Sequence, residues 1–130
     1  MRGLQLFWAA TVGWMVDTLL TTLIVGGGMA LAGITRTESL DFSQPLHILL
    51  GLALPVLMTA IGGGVAGWIT PEDATPAGAL VGGLGLISML ADGVDPERRH
   101  MLAFIIAQCV AVFVAALTAN AGAARRRSRI

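Results

Sequence analysis

Residues Pro45 to Ile69 read PLHILLGLALPVLMTAIGGGVAGWI, a run without one charged side chain. Wound as a helix it is about 37 Å long, more than the ~30 Å hydrocarbon core of a bilayer. The same pattern recurs on either side. From Gly3 to Thr35 the only charge is Asp17, and from His100 to Ala124 there is none. Each run reaches the ~20 apolar residues that a crossing helix needs. Across all 130 residues 55% are apolar and 12% charged, against about a quarter charged in a soluble domain. The chain therefore reads as an integral membrane protein, all-α, with the architecture of a transmembrane four-helix bundle.

The same numbers exclude other classes. Eight basic and eight acidic residues cancel, leaving no field to steer a nucleic acid. Cys109, alone in the chain, can form no internal disulfide and reads as a small buried hydrophobe. Charges and prolines divide the chain into spans of about 4–34, 45–69, 76–91 and 96–124 within one membrane domain. The crossing part of the first is some 20–25 residues long. Pro45, Pro76 and Pro96 each stand where a helix starts, with Thr75 and Asp95 as N-caps and Glu97 at a positive helix end. The third span is short, about 24 Å by rise. It is expected to cross, with a re-entrant arm or an interfacial helix as the alternatives.

Four crossings put both termini on one side. That side holds Arg2, Arg125, Arg126, Arg127 and Arg129, and the other Arg36, Arg98 and Arg99. The arginine excess places both termini in the cytoplasm. The arginine tail reads as a stop after the last span rather than a lipid patch. Ala30-Leu31-Ala32 resembles a signal cleavage site, but the apolar stretch before it is longer than a signal core and holds an acid, so cleavage is not expected.

Asp17 is the ionisable group inside a span, and such groups are functional candidates because burying one costs at least ~2.5–3.5 kcal/mol. If Trp8 marks the interface, Asp17 lies about 13 Å deeper, near the midplane; if Trp14 does, it is only ~4.5 Å below. Ala10, Gly13 and Thr21 share its helix face and form a narrow small-residue stripe suited to helix contact. A deep Asp17 would meet Thr59, and a shallow one Asn120 or Thr118. Asp17, Thr21, Thr59 and Asn120 are thus the candidate polar or proton site.

Glycine and alanine supply the second signal. Gly26-Gly27-Gly28 and Gly62-Gly63-Gly64 sit in the later parts of the first two spans, where they either loosen the helix or let another approach. Gly63 with Gly67 and Gly78 with Gly82 make GxxxG pairs, and packing is the favoured reading. The fourth span repeats alanine at every fourth position, through Ala103, Ala107, Ala111, Ala115, Ala119 and Ala123. That stripe drifts about 40° per step, so it suits a close crossing over two or three turns, within the chain or between copies. Trp68 reads as an interfacial belt residue and His47 as an interfacial side chain. Glu97 and His100 have i, i+3 spacing in a single copy, which reads as a solvated helix start rather than a metal site. No phosphate loop, nucleophile elbow or paired-carboxylate motif occurs, so neither an enzyme, a metal nor a cofactor is expected.

Val12-Gly13-Trp14-Met15-Val16-Asp17 in the first span and Ile61 to Pro71 closing the second carry a resemblance. They are similar to the GFxVD-like entry and GGYxAGxxAP-like exit of small, uncharacterised four-span bacterial membrane proteins. This chain has Gly64 and Trp68 where those often carry an aromatic and a basic residue. The resemblance implies a location in the bacterial cytoplasmic (inner) membrane, four spans and no assigned activity. The length and one acid in the first span also resemble the small multidrug transporters, although those carry a glutamate and aromatics in the third span. The leading expectation is an accessory or interaction subunit, or a homo-oligomer packed through Gly and Ala faces, with the bilayer and a membrane protein or second copy as partners. The alternative is a proton-coupled small-molecule transporter using Asp17.

Overall fold

A computed structural model describes residues 2–35, 40–92 and 100–128. Asp95, Pro96, Glu97, Arg36, Arg98, Arg99 and Arg129, which enter the cap and orientation arguments, lie outside them. Four long apolar helices make up the chain: α1 (Gly3–Leu31), α2 (Pro45–Ile69), α3 (Ala74–Ala91) and α4 (Met101–Ser128). No strand occurs among the described residues. All four are long and apolar enough to cross a membrane once the 3-10 turn Pro71–Asp73 that leads into α3 is included. The third is one unbroken helix with that turn in front of it.

Two helix starts differ in their chemistry. Pro45 occupies the first turn of α2 behind an extended Gln44, where its missing N–H orphans nothing. Thr75, expected as an N-cap, instead lies inside α3, which begins at Ala74 after Asp73. The 3-10 turn carries the chain into the helix early, and the Thr75 hydroxyl accepts a 2.7 Å hydrogen bond from Asn120 Nδ2 on α4.

Successive helices run antiparallel, and α2 and α3 form the central pair. Each of them touches both α1 and α4. Glycine sets how closely. A Cβ on Gly13 would strike the Gly62 carbonyl oxygen, and one on Gly62 would strike that of Gly13. Gly63 and Gly78 both lie against the backbone of Ala115, Gly67 against that of Ala119, and Gly82 against Val112. Ala111, Ala115, Ala119 and Ala123 have no exposed surface, whereas Ala103 and Ala107 are half-buried as the stripe winds away. Small side chains let backbones meet, and close van der Waals packing drives association where lipid removes the hydrophobic drive. The outer faces carry Leu102, Ile106, Val110, Phe113 and Leu117 of α4, all exposed. Cys109 is exposed on this same face, not buried as expected, because it stands three residues beyond Ile106 on the outward side.

At the end remote from the termini residues 40–47 pack onto the bundle. Leu40 is fully buried and packs with Ile34 and Leu50. His100 Nε2 donates to the Leu40 carbonyl at 2.7 Å, and its ring lies 4.3 Å from that of Phe42. The Asp41 N–H donates to His47 Nδ1 at 2.7 Å. His47 and His100 thus hold the 40–47 segment. His100 has φ of 67°, a left-handed conformation that costs a non-glycine residue on the order of 1 kcal/mol. In it, the His100 carbonyl accepts from the Phe104 N–H and begins α4.

Candidate functional site

Both helices that carry the polar site lose α-register beside it. In α1 the stretch Thr21–Gly26 is π-helical. The Thr22 hydroxyl donates to the Thr18 carbonyl at 2.9 Å, a back-bond of the kind that bends helices. Gly26, which ends that stretch, and Gly27 after it have open space around them. In α2 the π-helical stretch is Leu49–Ala53. There Pro55 has no N–H to offer the Gly51 carbonyl, and its ring crowds that oxygen. The ladder widens, and the Leu54 N–H bonds the Leu49 carbonyl five residues back. Such bulges recur at functional sites.

Asp17 sits one turn before the α1 bulge, about 21 Å from either end of its helix by rise. It is buried, with 7% of its surface exposed. Thr59, one turn beyond Pro55, approaches Asp17 Oδ2 at 3.0 Å, and Thr21 donates to Oδ1 at 3.1 Å. Asp17 therefore meets Thr59, the partner expected for a deep placement. Thr118 donates instead to the Ala60 carbonyl at 2.6 Å. Asn120, grouped with Asp17 on the sequence, lies apart and ties α4 to Thr75 and to the Ala116 carbonyl.

Beside the carboxyl is an open cleft of about 270 Å³ to which every helix contributes. From α1 come Trp14, Asp17, Thr18, Thr21 and Thr22; from α2, Pro55 and Thr59; from α3, Gly85 and Ser88; from α4, Gln108. The Gln108 amide donates to the Gly82 carbonyl at 3.1 Å, and Gly85 leaves room for it, since a Cβ there would meet Nε2 at 2.5 Å. The larger hollows are more apolar, as in the one lined by Trp8, Val12 and Met15. No cluster of three His, Cys, Asp or Glu that could hold a metal occurs among the described residues.

Thr18, Thr22, Ser88, Gln108 and Pro55 escape a reading based on charge. Polarity inside apolar spans is the signal that would have found the first four, because uncharged polar residues there seek other helices. A proline well inside a span is the signal for Pro55. Arg126 was also missed as a structural residue. Its Nη1 donates to the carbonyls of Trp68 and Ile69 at 2.6 and 2.8 Å, which caps the C-terminus of α2 with a cation.

Comparison with protein-family models, with curated proteins and with solved structures gives no match.

Proposed function

We propose that this chain is a non-enzymatic transporter of the bacterial cytoplasmic membrane that moves a small polar solute coupled to a proton carried by Asp17. Both termini would face the cytoplasm, following the arginine excess on their side. The observation that carries the reading is the Asp17 carboxyl, midway along α1, beside an open cleft lined by Thr18, Thr21, Thr22, Ser88 and Gln108, with π-helical stretches in both α1 and α2 nearby. Transporters place substrate and ion sites at broken helices near the midplane. The cleft is smaller than the ~300–1,000 Å³ of sites for drug-sized ligands, so the solute is a small one, such as an amine or a monovalent cation.

Thr59 supplies the local chemistry. Its hydroxyl has one hydrogen and two acceptors in reach, Asp17 Oδ2 and the Pro55 carbonyl at 3.1 Å. With Asp17 ionised, Thr59 donates to the carboxylate. With Asp17 protonated, the acid donates to Thr59 and Thr59 donates to Pro55. Neither state leaves a buried polar atom unpaired, which is what repeated loading and release of a proton requires.

The accessory-subunit or homo-oligomer reading would rest on Gly and Ala faces. The contacts of Gly63, Gly67, Gly78, Gly82, Ala111 and Ala115 are made inside one chain, so no specific observation favours it.

Proteoliposomes under a pH gradient, loaded with a pH indicator, test the proposal against a panel of small amines and monovalent cations. Solute-dependent proton flux is expected in the parent and absent in Asp17→Asn, with both proteins equally monodisperse. No flux with any solute, or equal flux in the variant, would sink it.

A further inference from the structure

We infer that the furrow between α2 and α4 at the arginine-tail end seats one acyl chain of an anionic phospholipid whose phosphate pairs with Arg125. The furrow encloses about 510 Å³ and is walled by Leu57, Ile61 and Trp68 on one side and Gly122 and Arg125 on the other. Its floor is thin because a Cβ on Gly122 would strike the Gly64 carbonyl. From Leu57 to Trp68 is about 16 Å of helix, the depth of one leaflet of a ~30 Å core. An acyl chain entering at the Trp68 end would therefore lie within the furrow down to the bilayer centre.

Charge selects the headgroup. Arg125 is exposed and lines the mouth, while Arg126 turns to the Trp68 and Ile69 carbonyls. Glu72 and Asp73, on the connection at the same end, do not line the furrow. Beyond Leu57 and Ala60 the groove continues into a second hollow of about 490 Å³, walled by Ile48, Val56 and Val110 with no basic residue. Among the described residues, this apolar furrow is lined by a cation at one end only. Basic residues between helices at the membrane surface recognise anionic headgroups.

Trp68 is a built-in reporter. In a Trp8→Phe, Trp14→Phe background it becomes the one tryptophan, and brominated acyl chains quench it on contact. Phosphatidylcholine vesicles receive a minor fraction of brominated phosphatidylglycerol, or the same fraction of brominated phosphatidylcholine. Quenching by the anionic lipid is expected to correspond to roughly fivefold local enrichment, the value of one arginine at the surface. Arg125→Gln should remove that enrichment and Arg125→Lys retain most of it. Gly64→Leu should weaken quenching by both lipids, because Gly64 has only the Thr118 carbonyl within reach, at 3.7 Å, and its new side chain would fill the furrow. Equal quenching by the two lipids in the parent, or undiminished preference in Arg125→Gln, would overturn the site.

Discussion

Thr59 Oγ1 stands 3.0 Å from Asp17 Oδ2 across the α1–α2 interface, joining residues forty-two positions apart. The bond ties together two helices at the level where each departs from α-geometry. It is possible because Gly13 and Gly62, one turn toward the termini, bring the two backbones into contact. A bulkier pair there would hold Thr59 beyond reach of the carboxyl. Packing and chemistry are thus set by the same few residues.

Replacing Thr59 with valine keeps the shape and removes the hydroxyl. The carboxyl keeps Thr21 but loses its partner on α2. Interhelical hydrogen bonds in membranes average about 0.6 kcal/mol and reach about 1.7. Unfolding in mixed micelles should show Thr59→Val destabilised by about 1 kcal/mol and Thr59→Ser near the parent. If the hydroxyl also relays between the two protonation states, Thr59→Val loses proton flux well beyond its loss of stability, and Thr59→Ser does not.

The glycines divide into two groups by what a methyl would meet. At Gly13, Gly62, Gly63 and Gly67 it would meet backbone, which cannot move aside. Each Gly→Ala change there should cost at least 1–3 kcal/mol, the range for overpacking. At Gly26, Gly27 and Gly83 nothing lies within 4 Å. Alanine there should be neutral or stabilising by up to ~1 kcal/mol. Thermal stability in detergent across this series checks the division, and a uniform response would contradict it.

The four helices were legible because hydropathy and length are properties of the chain alone, and Pro45 to Ile69 coincides with α2 at both ends. Asp17 was legible because charge in a span is rare. Its meeting with Thr59 followed from counting turns from opposite ends of two antiparallel helices. The π-helical stretches were not legible, since Pro55 allows a kink, a bulge or a break, and neighbouring helices decide which. Nor was the cap formed by Leu40, Phe42 and His100. It depends on a left-handed residue and on loop closure, and no periodicity in the sequence encodes either.

Outside the spans, Asp41 governs a small acid-sensitive turn. Its Oδ1 accepts from the Ser43 hydroxyl at 2.7 Å and the Ser43 N–H at 3.0 Å. These bonds, led by the hydroxyl, hold its carboxyl below the ordinary value of 3.8. A depressed folded value means the contribution is full above the ordinary value and is lost as pH falls through the folded one. Amide exchange at Ser43, corrected for intrinsic rate, should stay slow down to about the ordinary aspartate value and quicken only below it. In Asp41→Ala the same amide should exchange fast at every pH. A parent transition above the ordinary value would contradict the depression.

Cys109 offers a direct reading of which face of α4 meets lipid. It is exposed, and the opposite side of the helix is sealed by Ala111 and Ala115 against α2 and α3. Lying eight residues into α4, it stands about 12 Å from the start of that helix. A spin label on this single native cysteine should therefore relax readily with dissolved oxygen, which concentrates in hydrocarbon, and weakly with a water-soluble nickel chelate. Labels at Ala115→Cys should be silent to both, if that variant folds. Strong nickel relaxation at Cys109 would place water where the bundle puts lipid. Silence to both reagents would mean that a second copy or a partner covers the outer wall of Ile106, Val110 and Phe113, the arrangement an accessory subunit requires.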